Sequence, residues 1–392
     1  MIRKDFKIVG IDCPKVTIFQ SDLALISNGI FQYILEHENW DLVLTEPWVS
    51  LDDGARKTGG LFEQKLDGLL FPGENAEEFA QALKKGIPAV DYTGYKYGSK
   101  LPTVQPDNVM IGKMAFEHFC ELGFRNYAYI GPKNRVWAGE RGESFRKESE
   151  SAGFFCAMLT PVYEMDNRRG WISIKELAAW LKKLPKPVAI FTSHDAWAVG
   201  IYQACHVSNI EIPFEAAVLG VDNARVICET SRPKLSSIEC EFVLQGYHTA
   251  QLLDNLMHDP KFEDIHQRIP PKYVVKRAST DVRAVEDPAV AQAMQFIAEH
   301  YFEPISVTDV AKSSGISQSQ LGVRFKSIFK HTISEEMRRI RLNNARKLLL
   351  DTERSLADIA GSVGFCDVQH FVKTFAKHEG ISPAAWRKQR KH

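Results

Sequence analysis

The chain has 392 residues, with 49 basic and 49 acidic side chains, so its formal net charge is zero. With 44% hydrophobic and 25% charged residues, it has the balance of an ordinary soluble globular protein, long enough for two or three domains. The opening MIRKDFKIVGID lacks a signal-peptide run, and no stretch approaches the roughly 20 apolar residues of a spanning helix; a cytoplasmic protein with no membrane partner is expected.

Seven cysteines (Cys13, Cys120, Cys156, Cys205, Cys228, Cys240 and Cys366) stand singly. An odd number without a CxxC pair argues against a disulfide framework and a zinc site, so neither metal nor cofactor is expected. The charge is uneven. From Arg283 onward there are 17 basic and 12 acidic residues, against 32 and 37 before it. A basic C-terminal part behind a mildly acidic body suits an end that meets nucleic acid.

In chain order, KIVGI (7–11) reads as a strand, and Ser21 or Asp22 opens a helix carrying LALISNGIFQYI. DLVLTEP (41–47) and LDGLLFPG (66–73) are the next strands, followed by a helix at 76–85 and strand-like GIPAVDY (86–92). The pattern then restarts. DNVMIGKMAFEHFCELG (107–123) is a helix ending at Gly123, and Asp107 and Asn108 suit its cap. YAYIG (127–131) is a strand, ESFRKESESAG (143–153) a helix, and LAAWLKKLP (177–185) leads into the strand PVAIFTSHD (187–195). Helix 196–207, strand AVLGVDN (217–223), helix 242–258 and strand-like KYVVKRAST (272–280) complete the region. Such alternation means right-handed βαβ units in tandem halves, hence two lobes with a cleft between them. Beyond Pro288 the pattern is helix after helix, so the boundary is drawn between 1–282 and 283–392.

The helical tail contains a duplication. SVTDVAKSSGI (306–316) aligns with SLADIAGSVGF (355–365), pairing Ser306 with Ser355, Asp309 with Asp358 and Gly315 with Gly364. Each Ser with the acid three residues later forms a capping box, and each Gly supplies a left-handed turn. Ser317 and Asp367 then cap a second helix, which makes each copy a helix-turn-helix. Between the copies, SEEMRRIRLNNARKLLLDT (334–352) reads as a helix opened by Ser334. At about 18 residues it spans about 27 Å, enough to hold two reading helices one DNA turn apart.

Residues 288–390 resemble the DNA-binding domain of AraC/XylS regulators, above all ARKLLLDTERSLADIAGSVGFCDVQHFVKTFAKHEGISPAAWR (345–387). The resemblance implies base-reading positions at Gln318, Ser319, Gly322 and Val323, and at Asp367, Val368, Gln369, Val372 and Lys373. Arg324, Lys326, Arg338 and Lys377 would meet phosphates. Gly322 and Val323 depart from the polar residues often found there, so the first reading helix is expected to contact thymine methyls or to position.

The N-terminal region resembles LacI/GalR effector domains, which share a fold with periplasmic sugar-binding proteins. The resembling pieces are 105–131, TSHD (192–195), VLGVDN (218–223), KLSSI (234–238) and KYVVKRAST (272–280). The implied fold is an α/β two-lobed periplasmic-binding-protein-like domain followed by an all-α domain with two helix-turn-helix motifs. The implied function is a DNA-binding transcription regulator answering a small sugar, a pentose of the xylose type. Its expected partners are a double-stranded operator, a second copy of itself and RNA polymerase.

A sugar pocket needs carboxylates and amides for hydroxyl pairs, and an aromatic ring for the C–H face. The candidates at loop ends are Ser21, Asp22, Phe71, Glu74, Asp195, Asp222 and Asn223, and the resemblance implies an aromatic ring at Trp137 and a hydroxyl clamp at Arg141. Relatives often carry Gln where this chain has Cys240 between Glu239 and Glu241, a departure that leaves the sugar open. Phe71 also suits the core, and Asp195 also suits a helix cap. An enzyme fused to a DNA reader is the competing class. Against it, the chain has no GxSxG, HExxH, P-loop or strand-linked GxGxxG, and Cys13 after the first strand has no local His. A third reading is a sensor whose pocket has decayed and which answers to a protein partner.

Overall fold

Strand β1 (Lys7–Ile11) is apolar on both faces and lies between two parallel neighbours, β2 (Trp40–Leu44) and β3 (Gly68–Phe71). A computed structural model of the chain describes every residue except 1–5, 12–20, 45–64, 73–75, 94–101, 163–171, 264, 283–284, 286, 330 and 391–392. The chain divides into two compact units, Met1–Ala284 and Val285–His392.

The first unit holds two six-stranded sheets. Adding β4 (Ala89–Asp91), β5 (Thr103–Pro106) and β11 (His266–Ile269) gives the first sheet the order β11-β5-β4-β3-β1-β2, all parallel. The second comprises β6 (Asn126–Ile130), β7 (Cys156–Leu159), β8 (Val188–Thr192), β9 (Ala216–Val221), β10 (Ser236–Glu239) and β12 (Tyr273–Val275), in the order β12-β10-β9-β8-β6-β7. Only β12 runs antiparallel. Helix α1 (Ser21–His37) follows β1 and α2 (Ala76–Lys84) follows β3. Then come α3 (Asn108–Glu121), α4 (Val136–Ser151), α5 (Ile174–Lys183), α6 (Asp195–Ser208), α7 (Arg225–Thr230) and α8 (Phe242–His258). Three connections pass between sheets: β5 through α3 to β6, β10 through α8 to β11, and β11 directly to β12.

β8 and β9 are buried along their whole length, as strands covered on both faces must be. α1 and α8 cover the first sheet and touch backbone to backbone. A Cβ on Gly29 would sit 1.9 Å from the Val243 carbonyl oxygen, and one on Gly246 equally close to that of Ile26. No helix among the described residues is long and apolar enough to cross a membrane.

Several elements differ from the sequence expectation. β5 (TVQP), β7 (CAML), β10 (SSIE) and β11 (HQRI) are four-residue strands with no clear alternation, and went unread. The helix expected at 143–153 begins at Val136, and the strand-like run 86–92 narrows to Ala89–Asp91. The strand expected over 272–280 is three residues long and is followed by a 3₁₀ turn at Ala278–Thr280.

In the second unit all described elements are helices: α9 (Pro288–His300), α10 (Val307–Ser313), α11 (Gln318–Phe329), α12 (Ile333–Asp351), α13 (Leu356–Ser362), α14 (Val368–Glu379) and α15 (Pro383–Arg390). α12 is capped by Thr332 in a full capping box with Glu335, not by Ser334 as its sequence suggested. The second core gathers Leu342, Leu349, Ile359, Phe371, Phe375 and Trp386. Burying each of these side chains contributes about 1.5–3 kcal/mol, against about 1 kcal/mol for a cap, so packing sets stability while caps set where helices start.

Candidate ligand cleft and nucleic-acid interface

In open parallel sheets ligands settle beyond the carboxyl ends of the strands, where the strand order reverses. Here the reversals flank β1 in the first sheet and β6 in the second. The loops after β8 and β9 and the start of α4 bring together Arg141, Trp137, His194 and Asp222. Arg141 is almost fully buried. Its Nη1 donates to the Ser193 carbonyl at 2.5 Å, and its Nε donates to Asn108 Oδ1 at 2.9 Å. Nη1 lies 3.7 Å from Asp222 Oδ1, and the guanidinium carbon is 4.9 Å from the centre of the Trp137 ring. Trp137 packs on His194 with ring centres 5.7 Å apart. Burial, helped by the Arg141 charge, drives His194 down to about 3, so the ring is neutral and its Nδ1 accepts from the Ala196 N–H at the start of α6.

Asp222 holds a positive φ of 97°, which turns the loop after β9, and 19% of its side chain stays exposed. Burial pushes its carboxyl well above the usual carboxylate range. Arg141 opposes the shift, while Asp22, Asp195 and Glu239 add to it. The guanidinium thus faces the Asp222 carboxyl beside an aromatic ring.

Other expected residues fall differently. Asn223 is half-buried and both ends of its amide are engaged. Its Nδ2 donates to Glu239 at 2.5 Å, and its Oδ1 accepts from Arg277 at 2.8 Å. Asp195 spends both oxygens inside its own lobe, accepting from Ser237 Oγ (2.8 Å), the Ala224 N–H (2.7 Å) and Cys228 Sγ (3.3 Å). It is the first residue of α6, whose cap is His194. Phe71 is fully buried with Leu66, Leu69, Ala82 and Ala89. Asp107 does cap α3, accepting from the Met110 N–H at 2.9 Å. Ser21 is the first residue of α1, and Glu74 and Cys13 lie outside the described residues. Cys240 is buried, and burial pushes its thiol up.

The sequence reading passed over Asp91, buried at the end of β4, whose Oδ1 accepts from the Thr93 N–H (2.8 Å) and hydroxyl (2.9 Å). The signal was present: AVDYT ends an apolar run on an acid just as VLGVDN does at Asp222. Asn108, His194 and Glu239 were also missed as neighbours of this cluster.

In the second unit both helix-turn-helix copies form. Ser306 accepts from the Asp309 N–H, and Asp309 accepts from the Ser306 N–H at 2.9 Å. Ser355 accepts from the Asp358 N–H at 3.1 Å. Gly315 and Gly364 take the expected left-handed φ of 69° and 82°. On α11 the buried face is Leu321, Phe325 and Phe329, while Gln318, Ser319, Val323, Arg324 and Lys326 are exposed. Val323 is 70% exposed, and a Cβ on Gly322 would meet nothing within 4 Å, so no neighbour within the chain demands that glycine. Gln318 accepts from Thr308, and Arg324 pairs with Asp287 at 3.2 Å.

On α14, Gln369, Lys373 and Lys377 are exposed, and Asp367 caps the helix through the His370 N–H at 2.7 Å. Val368 and Val372 lean on the core instead. Arg338 is exposed on α12. The closing Trp-Arg is structural. Trp386 meets Phe375 edge-on at 5.8 Å, and Arg387 donates to the carbonyls of Leu349 (3.2 Å) and Arg354 (2.8 Å).

Residues 116–280 match the periplasmic binding protein-like domain family, and residues 310–389 a helix-turn-helix domain. The chain is 30% identical to the xylose operon regulatory protein of Escherichia coli (strain K12), over 92% of this chain and 93% of that one. The chain belongs to the family of xylose operon regulatory proteins. The Haemophilus influenzae protein of that name is 29% identical over 92% of this chain and 94% of its own. A solved structure of the xylose-binding transcription activator xylR matches at a TM-score of 0.75 and 26% identity, covering each chain in full. A ribose-bound LacI-family regulator from Enterococcus faecium shares the fold of the first unit (TM-score 0.54, 21% identity, 71% of this chain and 100% of that one). Like its family, this chain is a DNA-binding transcription regulator and not an enzyme. It joins a periplasmic-binding-protein-like α/β unit to an AraC-type helical unit.

Proposed function

We propose that this regulator answers a small sugar of the pentose class, with xylose the first candidate, and that the sugar closes the two lobes of residues 1–282. Closure changes the geometry of a homodimer and so the register in which residues 283–392 meet the operator. The protein works in the cytoplasm, with RNA polymerase as a further partner. A sugar produces this response only through unequal affinity for the two geometries. The observation that carries the reading is the Arg141 cluster. A guanidinium, a Trp face and the Asp222 carboxyl suit a polyol, whose hydroxyls bond the guanidinium and the carboxyl and whose C–H face lies on the ring. The kinship with xylose regulators supports the same reading.

For DNA, Gln369 and Lys373 on α14 are proposed to read base edges or phosphates, with Lys377, Lys326 and Arg338 on the backbone. α11 would contribute apolar contact through Val323 and close backbone approach at Gly322. Asp367 and Gln318 act first on their own helices, through the cap and the Thr308 bond. The test is thermal unfolding of the full chain against D-xylose, D-ribose, L-arabinose and D-glucose, with operator footprints taken in parallel. A sugar that raises the transition temperature and alters the footprint supports the proposal; no shift with any of the four overturns it.

A further inference from the structure

Arg141 is not held by its pocket neighbours alone. Its Nε donates to Asn108 Oδ1 at 2.9 Å, and Asn108 Nδ2 donates in turn to Glu140 Oε2 at 3.3 Å. Glu140 receives both ends of the Arg268 guanidinium, at 2.8 and 2.9 Å. Asn108 is completely buried, and its amide accepts from the guanidinium through one end and donates to the carboxylate through the other; reversed, it would set N–H against N–H and oxygen against oxygen. Burial raises the Glu140 carboxyl, but Arg268, Asn108 and Arg141 outweigh it and hold the group below its usual range.

The ends of this chain of bonds belong to different lobes. Arg268 is on β11 of the first sheet, one residue before that strand ends and the chain crosses to β12. Glu140 and Arg141 are on α4 of the other lobe, and Asn108 opens α3 just past the β5 crossover. We infer that Asn108 is a positioning residue which ties the pocket guanidinium to the Glu140–Arg268 clamp at the hinge, so that the aim of Arg141 depends on the lobe–lobe joint. This deepens the sugar-binding reading and rests on it for its use, though not for its geometry.

The test uses the full chain and two variants, Asn108→Ala at the bridge and Arg268→Gln at its half-exposed far end. Without sugar, acrylamide quenching of Trp137 emission, isolated by difference from a Trp137→Phe chain, rises in both variants because Arg141 leaves the indole face. With D-xylose as the probe, the dissociation constant rises about tenfold in Asn108→Ala, the loss expected for one hydrogen bond to a charge. Arg268→Gln weakens binding less, and adding it to Asn108→Ala weakens binding no further, since the path is already cut; a merely structural role predicts that the two effects add. Unchanged Trp137 quenching in both variants overturns the inference, as does additivity in the double variant. If D-xylose does not bind the parent chain, xylose is ruled out as the sugar, the binding measurement uses whichever of the four sugars does bind, and the sugar-free quenching decides the relay. If Asn108→Ala does not fold, Arg268→Gln carries the quenching test.

Discussion

The two turn glycines of the repeat are equivalent in sequence and unequal in the structure. Gly315 and Gly364 both hold a left-handed φ, so an alanine at either costs about 1–2 kcal/mol from backbone strain. At Gly315 the added Cβ meets nothing within 4 Å. At Gly364 it would sit 2.2 Å from the Tyr301 carbonyl oxygen, a backbone atom that cannot swing aside. That carbonyl accepts from Arg341 Nε at 2.8 Å, and Arg341 Nη2 also holds the Glu303 carbonyl, fastening the end of α9 to α12. Displacing it forfeits at least one hydrogen bond from a charged donor, about 1.5 kcal/mol at the low end suited to a half-buried guanidinium. The total at Gly364 is then about 3 kcal/mol, against about 1.5 at Gly315. Hydrogen exchange read by mass spectrometry on the full chain separates the two, because it resolves local opening where a single unfolding transition does not. Gly315→Ala should speed exchange in α10 and α11 about tenfold, and Gly364→Ala should speed it in α13 and α14 by about two orders of magnitude. Equal acceleration in the two copies would refute the reasoning, since only the Tyr301 contact distinguishes them.

Asp222→Asn removes the carboxyl that faces Arg141; the sugar-induced rise in melting temperature should disappear while unliganded operator affinity stays within about twofold, checked by thermal shift and fluorescence anisotropy. Lys373→Ala should weaken operator binding roughly tenfold. If Lys373 meets a phosphate, the slope of log affinity against log salt falls by about one, whereas a base contact leaves the slope and relaxes specificity at one position. Asp195 and His194 pull the pH dependence of the first unit in opposite directions. Asp195 titrates near 7 when folded, above the ordinary 3.8, so the native state binds the extra proton and stability falls as pH rises from about 4 to 7. His194 titrates near 3 against an ordinary 6.5, so the unfolded state binds the extra proton and stability rises with pH over about 3 to 6.5. Relative to the parent, melting temperature should climb more steeply across that window in Asp195→Asn and less steeply in His194→Gln, and parallel curves for all three would contradict the assignment.

What could be read from the sequence follows the range of each interaction. Ser306 with Asp309, Ser355 with Asp358 and Asp367 with the His370 N–H close their bonds within three residues, so spacing alone reveals them. Thr332 competed with Ser334 for one helix start, and the glutamate three residues on decides for Thr332. The short strands β5, β10 and β11 are different. TVQP, SSIE and HQRI carry no period of their own and become strands because a sheet edge is there to pair with. The cleft was legible through the resemblance at Trp137 and Arg141 and through strand ends that finish on an acid, which found Asp222 and, applied evenly, would have found Asp91. No spacing rule reaches from Arg141 to Asn108 33 residues away, or from Glu140 to Arg268 across 128. These contacts arise because three crossovers bring the carboxyl ends of both sheets to one hinge, so the residues that aim the pocket are named by topology and not by motif. The same distinction separates the two reading helices. Phe325 and its counterpart Phe375 fill equivalent buried positions, whereas no described neighbour accounts for Gly322, which has open space where its side chain would lie and leaves the backbone of α11 accessible.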